Sequence, residues 1–203
     1  MRRFFDGGKG YRIDNTTGVS TGNQPQSMYM VTSGRHYNDG CCFDYGNAET
    51  NNLDDKAGTM EAIYFGNCSG WGHGTGPGPW VLADLEDGLW GGDTKQAQQP
   101  SINADFVTAM VKGSSDGFTI KAADASARAG LTTYYAGRRP DGYQPMRKQG
   151  AIILGIGGDN SDSAIGVFFE GAMTASFSSD ACDNQIQSNI AEVYGSSSTE
   201  SMR

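Results

Sequence analysis

Histidine is nearly absent from this chain: His36 and His73 are the only two in 203 residues. Zinc chemistry needs clustered His, Cys or acidic ligands, and neither H-E-x-x-H nor C-x-x-C occurs. No metal and no cofactor is therefore expected, and a Ser/His/Asp or Cys/His nucleophile lacks its local context. Long apolar runs are also missing. Nothing approaches the roughly 18 residues a membrane-spanning helix requires, so no membrane partner is expected. Positive charge is in deficit, with 15 Lys and Arg against 23 Asp and Glu, a net charge of −8. Nucleic acids and anionic membrane surfaces both select basic patches, so neither is an expected partner. A neutral or basic ligand fits better. The N-terminal MRRFFDGGKGY has two arginines but no apolar core of a signal peptide.

Glycine, by contrast, is abundant at 30 residues, and Asn, Ser, Thr and Asp are plentiful. Such composition marks a turn-rich chain of the all-β class, and the length suits one domain. Two N-glycosylation triplets, at Asn15 and Asn67, and four cysteines lean toward a secreted, extracellular setting.

Residues 1–27 read as polar, Gly-punctuated chain with little core. Their GVSTG (18–22) has no strand before it and no helix after it, so it reads as a loop and not as a nucleophile elbow. MYMVTS (28–33) and TMEAIYFG (59–66) alternate as strands. The segment NCSGWGHGTGPGP excludes helix and leaves Trp71 in a Gly-rich loop, either as a lid on the core or as a sugar platform. Residues 106–111, 118–123 and 131–135 form an antiparallel meander. AIILGIGG (151–158) reads as a fully buried strand, and IGVFFEGAMTA (165–175) as another. DNQIQSNIAEVYG (183–195) is a short helix with Ile186, Ile190 and Val193/Tyr194 on one stripe, and the tail 196–203 is expected to be disordered. The domain is accordingly 1–195.

Carboxylates at strand ends are the candidate chemistry. In PWVLADLEDGLW (79–90), read as one strand, Asp84 and Glu86 share a face about 6.6–6.8 Å apart. Like charges at that range raise at least one pKa when water is partly excluded. Trp80 and Trp90 bracket this strand. Asp159 follows two glycines at the mouth of a buried strand, where a ligand can approach the backbone, although a turn Asp bonding its own backbone is the plainer reading. Glu170, flanked by Phe, is a third acid. Acids and aromatics on a β scaffold fit glycoside hydrolysis, which needs one ionised and one protonated carboxyl.

The adjacent pair Cys41-Cys42 resists a simple reading. Neighbouring Cα atoms lie about 3.8 Å apart across a trans peptide, whereas ordinary disulfides span about 4.4–6.8 Å. A vicinal bond, two separate bridges and two buried thiols all stay open, as does a Cys68–Cys182 bridge.

The segments GCCFDYGNAET, MEAIYFGNCSGWG, GPWVLADLEDGL, GAIILGIGGDNS and FFEGAMT closely resemble the catalytic domain of the fungal-type α-L-arabinofuranosidase B family, glycoside hydrolase family 54, from about Gly10 to about Tyr194. The resemblance implies a concanavalin-like antiparallel β-sandwich and a retaining enzyme that removes terminal L-arabinofuranosyl groups from arabinan and arabinoxylan, a plant polysaccharide. It implies Glu86 as nucleophile and Asp159 as general acid/base. Asp84, Asp87, Gly88 and Gly158 fall on arabinose-holding positions, and Trp71 on an aromatic beside the sugar. Cys41 and Cys42 match a vicinal disulfide under the furanose ring, and Asn67 a glycosylated position. Asp87 departs from an Asn in the family, and its extra charge is expected to raise Glu86 and shift the acidic limb of activity upward. The resemblance also implies early strands and a C-terminal arabinose-binding β-trefoil beyond this chain. A sheet edge left without its N-terminal strands is therefore expected, in a monomer. The alternative function is an arabinose-binding sandwich without turnover, and a third is an endo-acting or xylan-directed glycosidase.

Overall fold

Short alternating segments build twelve strands and one helix among the described residues, 2–95 and 98–195 of a computed structural model. The tail 196–203 lies outside them. In chain order the elements are β1 (Arg3–Asp6), β2 (Tyr11–Ile13), β3 (Gln26–Ser33), β4 (Asp44–Ala48), β5 (Glu61–Gly66), β6 (Trp80–Asp84), β7 (Leu89–Trp90), β8 (Phe106–Ser114), β9 (Gly117–Asp124), β10 (Thr132–Gly137), β11 (Ala151–Leu154), β12 (Ile165–Thr174) and α1 (Asp180–Tyr194). They pair antiparallel into two six-stranded sheets, ordered β1-β12-β3-β8-β9-β10 and β2-β11-β4-β5-β6-β7. The expected all-β sandwich with one short C-terminal helix is what forms.

Period-two alternation explains the layers. Ile63 and Phe65 of β5 and Val81 and Ala83 of β6 face Met28 and Met30 of β3 and Val107, Ala109 and Val111 of β8 in one buried cluster. The opposite face of β4, β5 and β6 carries Ala62, Tyr64, Leu82 and two acids. Asp44 pairs with Tyr64, and Ala62 pairs with Asp84. Asp44 and Asp84 therefore emerge on the same face, one strand to either side of β5. Helix α1 covers the outer face of the first sheet, with Ile190 against Val31 and Ala125. Ser179 caps it by accepting from the Cys182 N–H. It is neither long nor apolar enough to cross a membrane.

Several expectations change. The N-terminal segment is not coreless: β1 and β2 each supply an edge strand, and Phe5 is 1% exposed among the core aromatics. Both edges show apolar side chains, with Phe4, Tyr11 and Ile13 exposed. Residues 79–90 are not one strand. The chain leaves β6 at Asp84 and turns, with Glu86 and Asp87 at φ 65° and 54°, before β7 begins. Strand β11 is covered on one face only, leaving Ile152 and Leu154 half-buried. Val193 points to solvent from α1, while Tyr194 packs on Phe106 and Phe169. Glu170 pairs with Val31 on the helix-covered side of the first sheet, where its charge acts on Tyr29 and Tyr194, and it takes no part in the site below.

Candidate active site

Three connections converge at one end of the second sheet. The β6–β7 turn carries Glu86, the loop after β11 carries Asp159, and the segment before β4 carries Cys41-Cys42. They enclose an open cavity of about 130 Å³ lined by all nine residues singled out from the sequence: Cys41, Cys42, Trp71, Asp84, Glu86, Asp87, Gly88, Gly158 and Asp159. Asp54, Leu89, Gly157 and Ser161 complete the lining.

The β6–β7 turn is held from four sides. The Glu86 N–H donates to Asp84 Oδ1 at 3.1 Å, the Tyr143 hydroxyl donates to the Glu86 carbonyl at 2.7 Å, and Lys95 Nζ donates to the Asp87 carbonyl at 2.9 Å. Asp87 itself turns its carboxylate to the Ala57 N–H at 3.2 Å. Two consecutive non-Gly residues at positive φ cost on the order of 1–3 kcal/mol each, and such positions persist only where the surroundings over-determine them. These bonds supply that restraint. Because Glu86 lies beyond the strand, the pleat does not set its distance from Asp84; the turn does.

Asp159 sits on an exposed turn and accepts from the Ser161 N–H at 2.9 Å. The plainer sequence reading thus holds for one carboxylate oxygen, within a residue that also lines the cavity. Arg12 of β2 secures this turn, donating to the Gly158 carbonyl at 2.7 Å and to Asn160 Oδ1 at 3.0 Å, and it also bonds the Glu49 carbonyl.

Cys41 and Cys42 form a disulfide across a cis peptide bond. The loop bearing Asp159 is bound to it: Ser163 Oγ accepts from the Cys41 N–H at 3.1 Å and donates to the Cys41 carbonyl at 3.0 Å. Cys42 packs with Tyr64, Trp80, Leu82 and Leu89, so one wall of the cavity is stiff and apolar. Trp71 is 52% exposed at the rim, which excludes a lid on the core. Trp80 and Trp90 are buried packing groups and not ligand platforms. Cys68 is buried and Cys182 exposed, and the two do not bridge.

Electrostatically the site is a nest of acids. Burial pushes Asp44 well above the usual carboxylate range, with the neighbouring Asp84 adding to it. Burial raises Asp84 to about 7. Burial raises both Glu86 and Glu49, and the two carboxyls act on each other, so the pair retains a proton between them. Asp87, expected to raise Glu86, is not among the leading causes, which after burial are Asp84, Glu49 and Asp54. Carboxyls this close cannot all ionise, so the cavity retains protons through neutral pH. One oxygen each of Asp44 and Asp84 lies within 4.8 Å of the Cys42 sulfur. That sulfur is tied up in the disulfide, so the trio lacks the thiolate a metal would need.

Sequence reasoning missed four residues of this architecture: Asp44 and Glu49 behind the cavity, and Arg12 and Tyr143 bracing its turns. Asp44 and Glu49 carried one readable signal, since the two acids bracket a stretch without other charge, residues 45–48.

The model of the family described as "Alpha-L-arabinofuranosidase B, catalytic" matches residues 2–195. Alpha-L-arabinofuranosidase B of Aspergillus niger is 53% identical over 191 residues, covering 92% of this chain and 38% of that protein. A solved family 54 α-L-arabinofuranosidase, a Glu-to-Gln mutant soaked with 4-nitrophenyl α-L-arabinofuranoside, superposes with a TM-score of 0.91 at 51% identity, covering 94% of this chain and 40% of that one. An arabinofuranosidase complexed with arabinofuranosyl-α-1,2-xylobiose matches equally, with a TM-score of 0.91 and 51% identity over the same shares. The chain thus spans about 38–40% of the length of such relatives. By family model, sequence and structure together, the chain belongs to the α-L-arabinofuranosidase B catalytic-domain family.

Proposed function

We propose that this chain carries the site of a retaining, exo-acting α-L-arabinofuranosidase, releasing terminal L-arabinofuranosyl groups from arabinan and arabinoxylan outside the cell. The observation that carries the reading is the convergence of Glu86 and Asp159 on one cavity with a disulfide wall and Trp71 at its rim. A furanose ring offers two faces of different polarity. Its apolar face fits the Cys41-Cys42 wall, and its hydroxyls fit Asp84, Asp87 and the backbone at Gly88 and Gly158. Relatives with printed arabinofuranoside ligands support this substrate class.

In the first step Glu86, ionised, attacks the anomeric carbon. The bond to the leaving oxygen breaks, and Asp159 delivers its proton to that oxygen. The exposed position of Asp159 suits contact with the departing chain and then with water. In the second step Asp159 takes a proton from water, which displaces Glu86 and restores the free enzyme with net retention. The disulfide and the exposed sequon at Asn15 support an extracellular setting.

Hydrolysis of 4-nitrophenyl α-L-arabinofuranoside by the purified chain tests the proposal. Turnover by the wild type that is abolished in both Glu86→Gln and Asp159→Asn is the expected result. A folded wild type that binds arabinose without turnover establishes the non-hydrolytic alternative instead.

A further inference from the structure

Behind Glu86 lies a second carboxyl that the mechanism above does not use. Glu49 follows β4 and is fully buried. Its Oε2 has no hydrogen-bond donor beside it and meets the Glu86 carboxyl. A hydrogen bond between two carboxyls requires a proton on one of them. The other oxygen, Oε1, lies 2.5 Å from Thr59 Oγ1, which is also 2.7 Å from the Lys56 carbonyl. Thr59 thus engages Oε1, which leaves Oε2 as the oxygen that shares the pair's proton with Glu86. Gly158 permits the pair to close: a Cβ there would stand 2.2 Å from Glu49 Oε2 and 3.1 Å from Glu86 Oε2.

We propose that Glu49 is a positioning residue that holds the single proton of the Glu49–Glu86 pair, leaving Glu86 ionised and aimed into the cavity. The inference rests on the arabinofuranosidase reading of Glu86. The proton belongs on the acid with less water, and Glu49 is 0% exposed while Glu86, at 8%, borders the cavity. Charged groups around the pair act in one direction. Asp84 of β6, and Asp54 and Asp55 of the β4–β5 connection, all disfavour a second negative charge. Arg12 of β2 reaches the backbone carbonyl of Glu49. No cation is hydrogen-bonded to either carboxylate among the described residues. During attack the proton stays on Glu49, the Glu86 oxygen bonds to the anomeric carbon, and the leaving oxygen takes its proton from Asp159.

Two measurements test this. Glu49→Gln keeps a donor that cannot titrate, and Glu49→Leu removes the donor. On 4-nitrophenyl α-L-arabinofuranoside, Glu49→Gln should keep kcat within about tenfold, and Glu49→Leu should lose about a hundredfold or more with KM changed less than about threefold. The second measurement does not depend on turnover or on the Leu variant folding. The six glutamates, labelled with ¹³C at the side-chain carboxyl and assigned with Glu49→Gln and Glu86→Gln, report each protonation state by NMR. At pH 6 to 7 Glu49 should resonate as a carboxylic acid and Glu86 as a carboxylate. The proposal is overturned by a Gln variant as inactive as the Leu variant, by a Leu variant with wild-type kcat, or by an ionised Glu49 in the spectrum. A wild type without hydrolysis would remove the enzyme reading, and the spectrum would still decide where the proton sits.

Discussion

Glu61 and Glu86 are both acids taken out of water in the same sheet region, and they behave in opposite ways. Burial alone would push Glu61 up, but Arg139 and Lys148 beside it outweigh that and hold its carboxyl below the usual value. Arg139 Nη1 lies 2.7 Å from Glu61 Oε1, and Lys148 Nζ lies 3.1 Å from Oε2, all with fully buried side chains. Gln26 Nε2 adds a bond at 2.8 Å. Glu86 meets Asp84 and Glu49 instead and is pushed up, with burial the leading cause. A buried acid with cations is a permanently charged structural joint. A group of buried acids without a cation holds a proton among its members. Asp183 repeats the first case, with Lys112 and Lys121 each at 2.7 Å fastening α1 to the first sheet. Cations therefore stand where the protein needs rigidity and are withheld where it needs chemistry.

The sharpest division comes from removing each acid in turn. Glu86→Gln should lower kcat on an aryl arabinofuranoside by about 10⁴-fold or more, roughly 5.5 kcal/mol of barrier, and should leave the thermal midpoint at or above wild type. Steady-state kinetics and a melting curve read both halves. Glu61→Leu should do the reverse. It strands Arg139 and Lys148 without a counter-charge, a change that costs about 3–5 kcal/mol, visible as a lower urea midpoint. A Glu61→Leu chain as stable as wild type would break the comparison.

The pH dependence of stability sharpens it further. The folded pKa of Asp44 is raised, so the folded state holds a proton that the unfolded state releases. Its contribution is fully present below the unfolded pKa, near 3.9, and is lost as pH rises toward the folded value. Asp44→Asn should therefore be more stable than wild type at pH 8, by on the order of 1–2 kcal/mol, with the gain vanishing near pH 4. Glu61 has the opposite sign: its depressed folded pKa gives stability present above about pH 4.3 that disappears on acidification through the folded value. Denaturant titrations at pH 4, 6 and 8 separate the two slopes. The smallest effect belongs to Tyr143→Phe, which removes the bond to the Glu86 carbonyl. A loss of about 1 kcal/mol, or roughly fivefold in kcat, is expected, with little change in KM.

Much of this was legible because alternation and turn chemistry are local. Ile63 and Phe65 face one way and Tyr64 the other, as a two-residue period requires. The helix stripe at Ile186 and Ile190 was equally plain. The break after Asp84 was not, because two residues at positive φ carry no local signature when neither is Gly. Residues lining the cavity were found through resemblance to a family; composition alone gave only acids near aromatics. The second layer stayed hidden for a different reason. Glu49 reaches Glu86 only because β4, β5 and β6 are adjacent, and Arg12 reaches Gly158 only because β2 pairs with β11. Such contacts are products of sheet order, which no window along the chain displays. Tyr143 likewise comes from the connection between β10 and β11, far along the chain from the turn it braces.

The central claim is that Glu86 and Asp159 act as the nucleophile and acid/base of a retaining site, and the configuration of the first-formed sugar tests it most directly. Proton NMR of an aryl α-L-arabinofuranoside during early hydrolysis, before mutarotation, should show α-L-arabinofuranose appearing first. Initial release of the β anomer would contradict the account, since it would mean that water and not Glu86 attacks the anomeric carbon.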